Sequence, residues 1–121
     1  VSRTDPSAAT VRRMSEEDLL TAVLDLAGLL GVRAAHFRPA KTADGWRTAV
    51  SGDGKGFPDL VLVGRGGVLF RELKSARGVV AAEQEAWLTA LAEAGQSADV
   101  WRPVDWRSGR IERELKAVAR G

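Results

Sequence analysis

The chain contains no cysteine and only one histidine among its 121 residues. The first absence excludes a disulfide framework and any thiolate metal site, and it fits a reducing, intracellular setting. No apolar run approaches the roughly 18–20 residues that a membrane-crossing helix requires. No signal-peptide pattern opens the sequence, so a cytoplasmic location is expected. Internal repeats and low-complexity stretches are also missing. What remains is a globular composition, 45% apolar and 28% charged, of a length that one hydrophobic core can serve. Lysine and arginine exceed aspartate and glutamate by 18 to 16, a net charge of +2. The balance is mildly basic, and most of the bases are arginines, whose guanidinium suits bidentate recognition of phosphate.

Residues 1–14 show no apolar periodicity and read as a flexible N-terminal arm, leaving 15–121 as a single domain. Ser15 is placed to cap a helix, with Asp18 standing in for the usual Glu or Gln of a capping box. Leu19, Leu20, Val23, Leu24, Ala27 and Leu30 then recur at helical spacing, and Gly31 ends the segment. Residues 32–37 read as a strand, and 38–56 as a long polar loop. Loops of that length are usually functional or mobile. The apolar run 60–63 is what a strand buried on both faces would show. Residues 64–67, Gly-Arg-Gly-Gly, form a hairpin turn into a returning strand, 68–73. A second helix is expected over 81–94, with Trp87, Leu88, Leu91 and Ala92 facing inward. A fourth strand follows over 98–102, ended by Pro103, and Ile111, Leu115 and Val118 space a C-terminal helix. The order α-β-β-β-α-β-α defines an α/β domain.

The chemistry concentrates in two stretches, Gly56-Phe57-Pro58-Asp59 and Glu72-Leu73-Lys74. Side chains alternate along a strand, so Glu72 and Lys74 share one face while Leu73 points into apolar surroundings. Asp59 opens the neighbouring strand, where hairpin geometry can set it beside Glu72. Taken singly, a Glu-x-Lys pair is usually a surface ion pair, and Pro-Asp commonly opens a turn. Together on adjoining strands they form a rarer constellation. Two carboxylates this close repel unless a cation lies between them, and a hard divalent ion such as Mg²⁺ takes oxygen ligands while keeping waters for chemistry. With a lysine to orient one of those waters, the set suits phosphodiester hydrolysis. Zinc-ligand spacing, a nucleophilic triad and a dinucleotide fingerprint are all missing.

The pattern Pro-Asp followed by Glu-x-Lys resembles the PD-(D/E)xK nuclease superfamily, and the surrounding blocks look like its VRR-NUC branch. These blocks run from Ser15-Glu16 through Gly56–Leu60, Glu72-Leu73-Lys74, Arg77-Gly78, Glu83-Gln84 and Trp87-Leu88 to residues 100–103. The resemblance implies a restriction-endonuclease-like core with a central mixed sheet flanked by helices. It implies Asp59 and Glu72 as metal ligands, the Leu73 carbonyl as a further ligand, and Lys74 as the residue that positions water. Gln84 matches a glutamine that such nucleases place on the following helix, and Glu16 matches an acidic residue of the first helix that approaches the metals. Glu17 and Asp18 compete for that last role. The cofactor would be Mg²⁺ or Mn²⁺, one or two ions per site, with no organic cofactor.

The partner implied is DNA. Stand-alone members resemble Holliday-junction resolvases that act as homodimers, so branched or flap DNA is the first substrate expected. A nuclease without structural preference and a non-catalytic DNA-binding module are the alternatives. His36 and Arg38 lie on one face of a strand end where substrate contact is possible. Lys41, Arg47, Lys55, Arg65, Arg71 and Arg77 are candidate phosphate contacts, and Trp46 is a candidate for stacking on an unpaired base. Two departures from the family pattern stand out. Ala81 and Ala82 occupy the places of a helix cap and a proline, and the 38–56 segment is longer than the family minimum.

Overall fold

The computed structural model describes residues 14–37, 40–42, 45–47 and 51–120 of the chain. Helix α1 (Glu16–Leu29) starts at a complete capping box. Ser15 Oγ accepts the Asp18 N–H at 3.0 Å, and the Asp18 carboxylate accepts the Ser15 N–H at 3.2 Å. Its buried residues, Leu19, Leu20, Val23 and Ala27, lie along one stripe. Gly31 ends the segment at φ +73°, a conformation that glycine enters without a Cβ penalty. Met14 does not belong to a free arm, for it lies against the hydrophobic core. The rest of the expected arm lies outside the described residues.

The strands are β1 (Arg33–His36), β2 (Ala40–Thr42), β3 (Gly45–Arg47), β4 (Leu60–Gly64), β5 (Gly67–Leu73) and β6 (Ser97–Trp101). Four of them form a mixed sheet in the order β1-β4-β5-β6, with β5 and β6 parallel and the other pairs antiparallel. A parallel pair needs a crossover, and α2 (Ala82–Glu93) supplies it. The chain ends in a short helix α3 (Pro103–Arg107) and in α4 (Arg110–Arg120). Leu60, Leu62, Leu69 and Leu73 project from one sheet face and meet α1, Trp101, and Ile111, Leu115 and Val118 of α4 in a single core.

Four details differ from the sequence reading. The segment 38–56 is not all loop, because β2 and β3 pair as an antiparallel hairpin within it. Strands of three residues are too short to display an alternating apolar pattern. Strand β4 is fully buried on one face only, since Val63 keeps 40% of its surface while Leu60 and Leu62 keep none; among the described residues, α2 packs chiefly on β6. Pro103 does more than end β6, for it opens α3, where its fixed φ and missing N–H cost nothing. Ala92 is exposed, and Leu88 is the buried residue of α2.

The hairpin between β4 and β5 turns on Arg65-Gly66, closed by a Gly64–Gly67 pair. A Cβ on Gly64 would collide with the Val118 carbonyl, and the Gly66 N–H donates to that same oxygen at 2.7 Å. The turn is thereby docked on the end of α4, at the opposite end of β5 from Glu72.

Arg71 is a correction to the list of phosphate contacts. It is 3% exposed, and all five guanidinium protons are engaged. Nε and Nη2 donate to Glu114 Oε1 at 3.2 and 2.8 Å, Nη1 donates to the Phe70 and Ser97 carbonyls, and Nη2 donates to Ser97 Oγ. Glu114 also accepts from Trp101 Nε1 at 2.9 Å and from Arg110 Nε at 2.7 Å. Arg71 therefore anchors α4 to the sheet. Replacing Glu114 by alanine strands a buried guanidinium, and a loss of about 3 kcal/mol in unfolding free energy is expected. Urea denaturation of Glu114→Ala beside the parent measures it.

Candidate active site

Strand β5 carries Glu72 on the face opposite the leucine core, and Lys74 follows at its end. The Lys74 N–H donates to the Trp101 carbonyl at 3.1 Å, so the exit from β5 is tied to β6. Asp59 arrives by a different route. Gly56, at φ +87°, lies against the Glu83 backbone, where any Cβ would come within 2.5–2.7 Å of Glu83 atoms. Phe57 stands edge-on to Phe37, Phe70 and Trp87, with ring centroids 5.8, 6.2 and 5.0 Å apart. The Trp87 indole N–H donates to the Asp53 carbonyl at 2.8 Å. Trp87 is thus half-buried rather than central to the core, and it fastens the segment leading to Asp59 onto the helix that carries Gln84.

The side chains then converge. Asp59 Oδ2 accepts the Leu73 N–H at 3.0 Å, which ties the start of β4 to the end of β5. The Asp59 carbonyl accepts the Phe37 N–H at 2.8 Å, bringing in β1. Glu72 Oε2 accepts from Gln84 Nε2 at 2.9 Å and lies 3.9 Å from Lys74 Nζ. Gln84 Oε1 accepts the Ala81 N–H at 2.8 Å, half of a capping box. That bond fixes which way the amide points, with its NH₂ toward Glu72. Ala81, which departs from the family's cap residue, loses only the reciprocal bond that a serine would make.

A cleft of about 420 Å³ opens here, lined by Glu16, Glu17, Leu20, His36, Asp59, Glu72, Leu73, Lys74 and Gln84. Of the three acids competing at the start of α1, Asp18 is committed to its capping box, whereas Glu16 and Glu17 border the cleft. From sequence Glu17 is a competitor for this role and not the preferred residue. Its neighbour fitted the family spacing better, and no local pattern separates two consecutive acids in a first helical turn.

Burial and charge make the site strained for anions. Glu72 is 2% exposed. Desolvation, followed by the charge of Asp59, pushes its carboxyl up to about 8, against a smaller opposing pull from Lys74. Glu16 is raised by burial and by Asp59 as well. Among the described residues, Glu72 Oε1 is the buried side-chain atom without a hydrogen-bond partner. An orphaned carboxylate oxygen beside a second carboxylate fits a divalent cation. Among the described residues, no group of three or more acids or histidines is arranged to hold a metal ion.

The expected DNA contacts scatter. His36 reaches the cleft, and Arg77 is exposed in the turn just after Lys74. Lys55 is 85% exposed and paired with Glu83 at 3.4 Å. Arg65 sits on the far turn, about 20 Å from Glu72 by strand rise, and Arg71 is buried on the other face. Arg38 and the side chains of Lys41, Trp46 and Arg47 lie outside the described residues.

A mixed sheet flanked by helices, with an acidic pair, a lysine and a glutamine gathered where the start of β4 meets the end of β5, defines an α/β domain with a restriction-endonuclease-like core. The sequence matches the VRR-NUC domain over residues 4–105, and the chain belongs to that family, a nuclease domain of the PD-(D/E)xK superfamily. No curated protein and no solved structure matches the chain. Among the described residues no helix is long and apolar enough to cross a membrane.

The state of Glu72 has a consequence for stability. Its folded-state value of about 8 lies above the ordinary 4.5, so the folded chain keeps a proton that the unfolded chain releases. The resulting stabilisation is complete below the ordinary value and is lost as the pH rises through about 8. Without divalent metal, the melting temperature is expected to fall from about pH 5 to pH 8. Glu72→Gln, which keeps the shape and removes the titration, flattens that slope. Thermal unfolding across a pH series with chelator present reads both.

Proposed function

We propose that the protein is a divalent-metal-dependent endonuclease that hydrolyses phosphodiester bonds in DNA, preferring branched substrates such as four-way junctions or flaps. The observation that carries this reading is the convergence of Asp59, Glu72, Lys74 and Gln84 in one open cleft, around a carboxylate oxygen without a partner. Asp59 and Glu72, with Glu16 at the rim and the Leu73 carbonyl beside them, are the residues that would hold one or two Mg²⁺ or Mn²⁺ ions. The bound metal would supply Lewis-acid stabilisation of the charge that develops on the phosphate.

The chain's own groups perform the rest. The Lys74 ammonium faces the Glu72 carboxylate and orients the attacking water in line with the scissile bond. Gln84 holds the Glu72 carboxylate in place through its NH₂, and Asp59 is held by the Leu73 N–H, so neither acid has to reorganise as the reaction proceeds. His36 and Glu17 border the path of the strand. The family resemblance implies products with 5′-phosphate and 3′-hydroxyl ends. Among the described residues one such cleft is present, and two copies about a two-fold axis would pair such sites for symmetric cutting of two strands.

The test compares four-way junction, flap, single-stranded and linear duplex DNA with Mg²⁺, Mn²⁺ or EDTA, running Asp59→Ala and Lys74→Ala beside the parent. The expected outcome is cleavage with either metal, none with EDTA, and a drop of at least about 10²-fold for each variant. Cutting that survives EDTA or both substitutions defeats the metal mechanism. Equal cutting of all four substrates removes the branched preference and leaves a general nuclease. Binding without cutting under every condition leaves a non-catalytic module.

A further inference from the structure

Arg102 is the first residue after β6, and its side chain turns back toward the active site. Its Nη1 donates to two carbonyls, Ser75 and Gly78, each at 2.8 Å. These carbonyls open and close the turn that immediately follows Lys74, and the turn's own bond runs from the Gly78 N–H to the Ser75 carbonyl at 3.2 Å. The neighbouring Trp101 carbonyl accepts the Lys74 N–H. Consecutive residues at the end of β6 therefore hold Lys74 from both sides, one through its own backbone and one through the turn beyond it. Gly78 closes the arrangement. A Cβ there would come within 3.1 Å of Ser75 Oγ and 3.3 Å of Lys74 Cδ, so the bare backbone of the turn forms a wall along the lysine stem.

A lysine carries four rotatable side-chain bonds and pays a large entropy to hold one position. The 3.9 Å approach to Glu72 is too long to fix that position alone. We propose that Arg102 is a positioning residue for Lys74: by clamping the Ser75–Gly78 turn against the lysine stem, it sets where the ammonium sits in the cleft. Arginine suits this task because its planar nitrogen presents two protons at a fixed angle, one for each carbonyl. The backbone of Arg102 is itself secured, its N–H donating to Asp105 Oδ2 at 2.7 Å at the start of α3. Its side chain touches neither the acids nor the cleft, and its effect passes through the turn.

The inference rests on the role given to Lys74 under the proposed function, and its test has one arm that needs no activity. Protein labelled with ¹³C at lysine Cε is studied by relaxation, with the Lys74 signal assigned by its loss in Lys74→Arg. In the parent, Lys74 is expected to be restrained relative to Lys55, which is 85% exposed. In Arg102→Gln the Lys74 signal is expected to relax like that of Lys55 while the amide spectrum stays folded. Arg102→Lys, which can reach one carbonyl at a time, falls between them and serves if the glutamine variant is unstable.

In the cleavage assay kcat drops by about 10²-fold for Arg102→Gln, as a misplaced catalytic group implies. KM stays within about twofold, and added guanidinium restores part of the rate to Arg102→Ala. A folded Arg102→Gln whose Lys74 stays restrained overturns the proposal, as does one that loses KM rather than kcat. If the parent cuts no nucleic acid at all, the nuclease reading fails, while the relaxation arm still decides whether Arg102 positions Lys74.

Discussion

Two carboxylates, one almost wholly buried and the other half-buried, share a corner at the end of the sheet, and much of the surrounding structure manages the repulsion between them. Moving an ionised carboxylate from water to protein interior costs several kcal/mol, and a like charge beside it adds to that cost. The chain responds with fixed donors. Asp59 is held by a backbone N–H of β5, Glu72 by the amide of Gln84, and Lys74 sets a positive charge on the same side. What these donors leave unmet is the partnerless Glu72 oxygen and the carboxyl's reluctance to ionise.

The sheet separates this strain from its own stability. Arg71 and Glu72 are adjacent and almost equally buried, yet they point to opposite faces. On one side the guanidinium spends every proton on Glu114, Ser97 and a carbonyl, so that a buried charge becomes a fastening for α4. On the other, the carboxylate is left under-satisfied. A strand's two-residue period makes such a division possible in consecutive positions. It lets the fold hold a destabilised site on the back of a well-satisfied network, in keeping with strain being stored at functional sites and compensated elsewhere.

Sequence patterns were informative where a residue type has few uses. Pro58-Asp59 and Glu72-Leu73-Lys74 could be placed on adjoining strands, and α1, β4, β5 and α2 could be read from caps, glycines and periodicity. Gln84 stood three residues before Trp87 and was found by family pattern rather than by periodicity, because α2 has little apolar asymmetry and a single buried residue. The hairpin of β2 and β3 escaped because its strands are three residues long. Arginine was the least legible side chain. The same type is an exposed surface cation at Arg77, a turn residue far from the cleft at Arg65, a buried anchor at Arg71 and a clamp at Arg102. Only the partners brought by folding distinguish these roles.

The amide of Gln84 serves two masters, the first turn of α2 and the Glu72 carboxylate. One orientation satisfies both, and turning the amide over breaks both bonds at once, so the helix start and the acidic corner are tied through a single side chain. The Ala81 amide proton is consequently a built-in reporter: its hydrogen-exchange protection rises and falls with the integrity of the site, legible in a protein that is neither cutting nor binding anything.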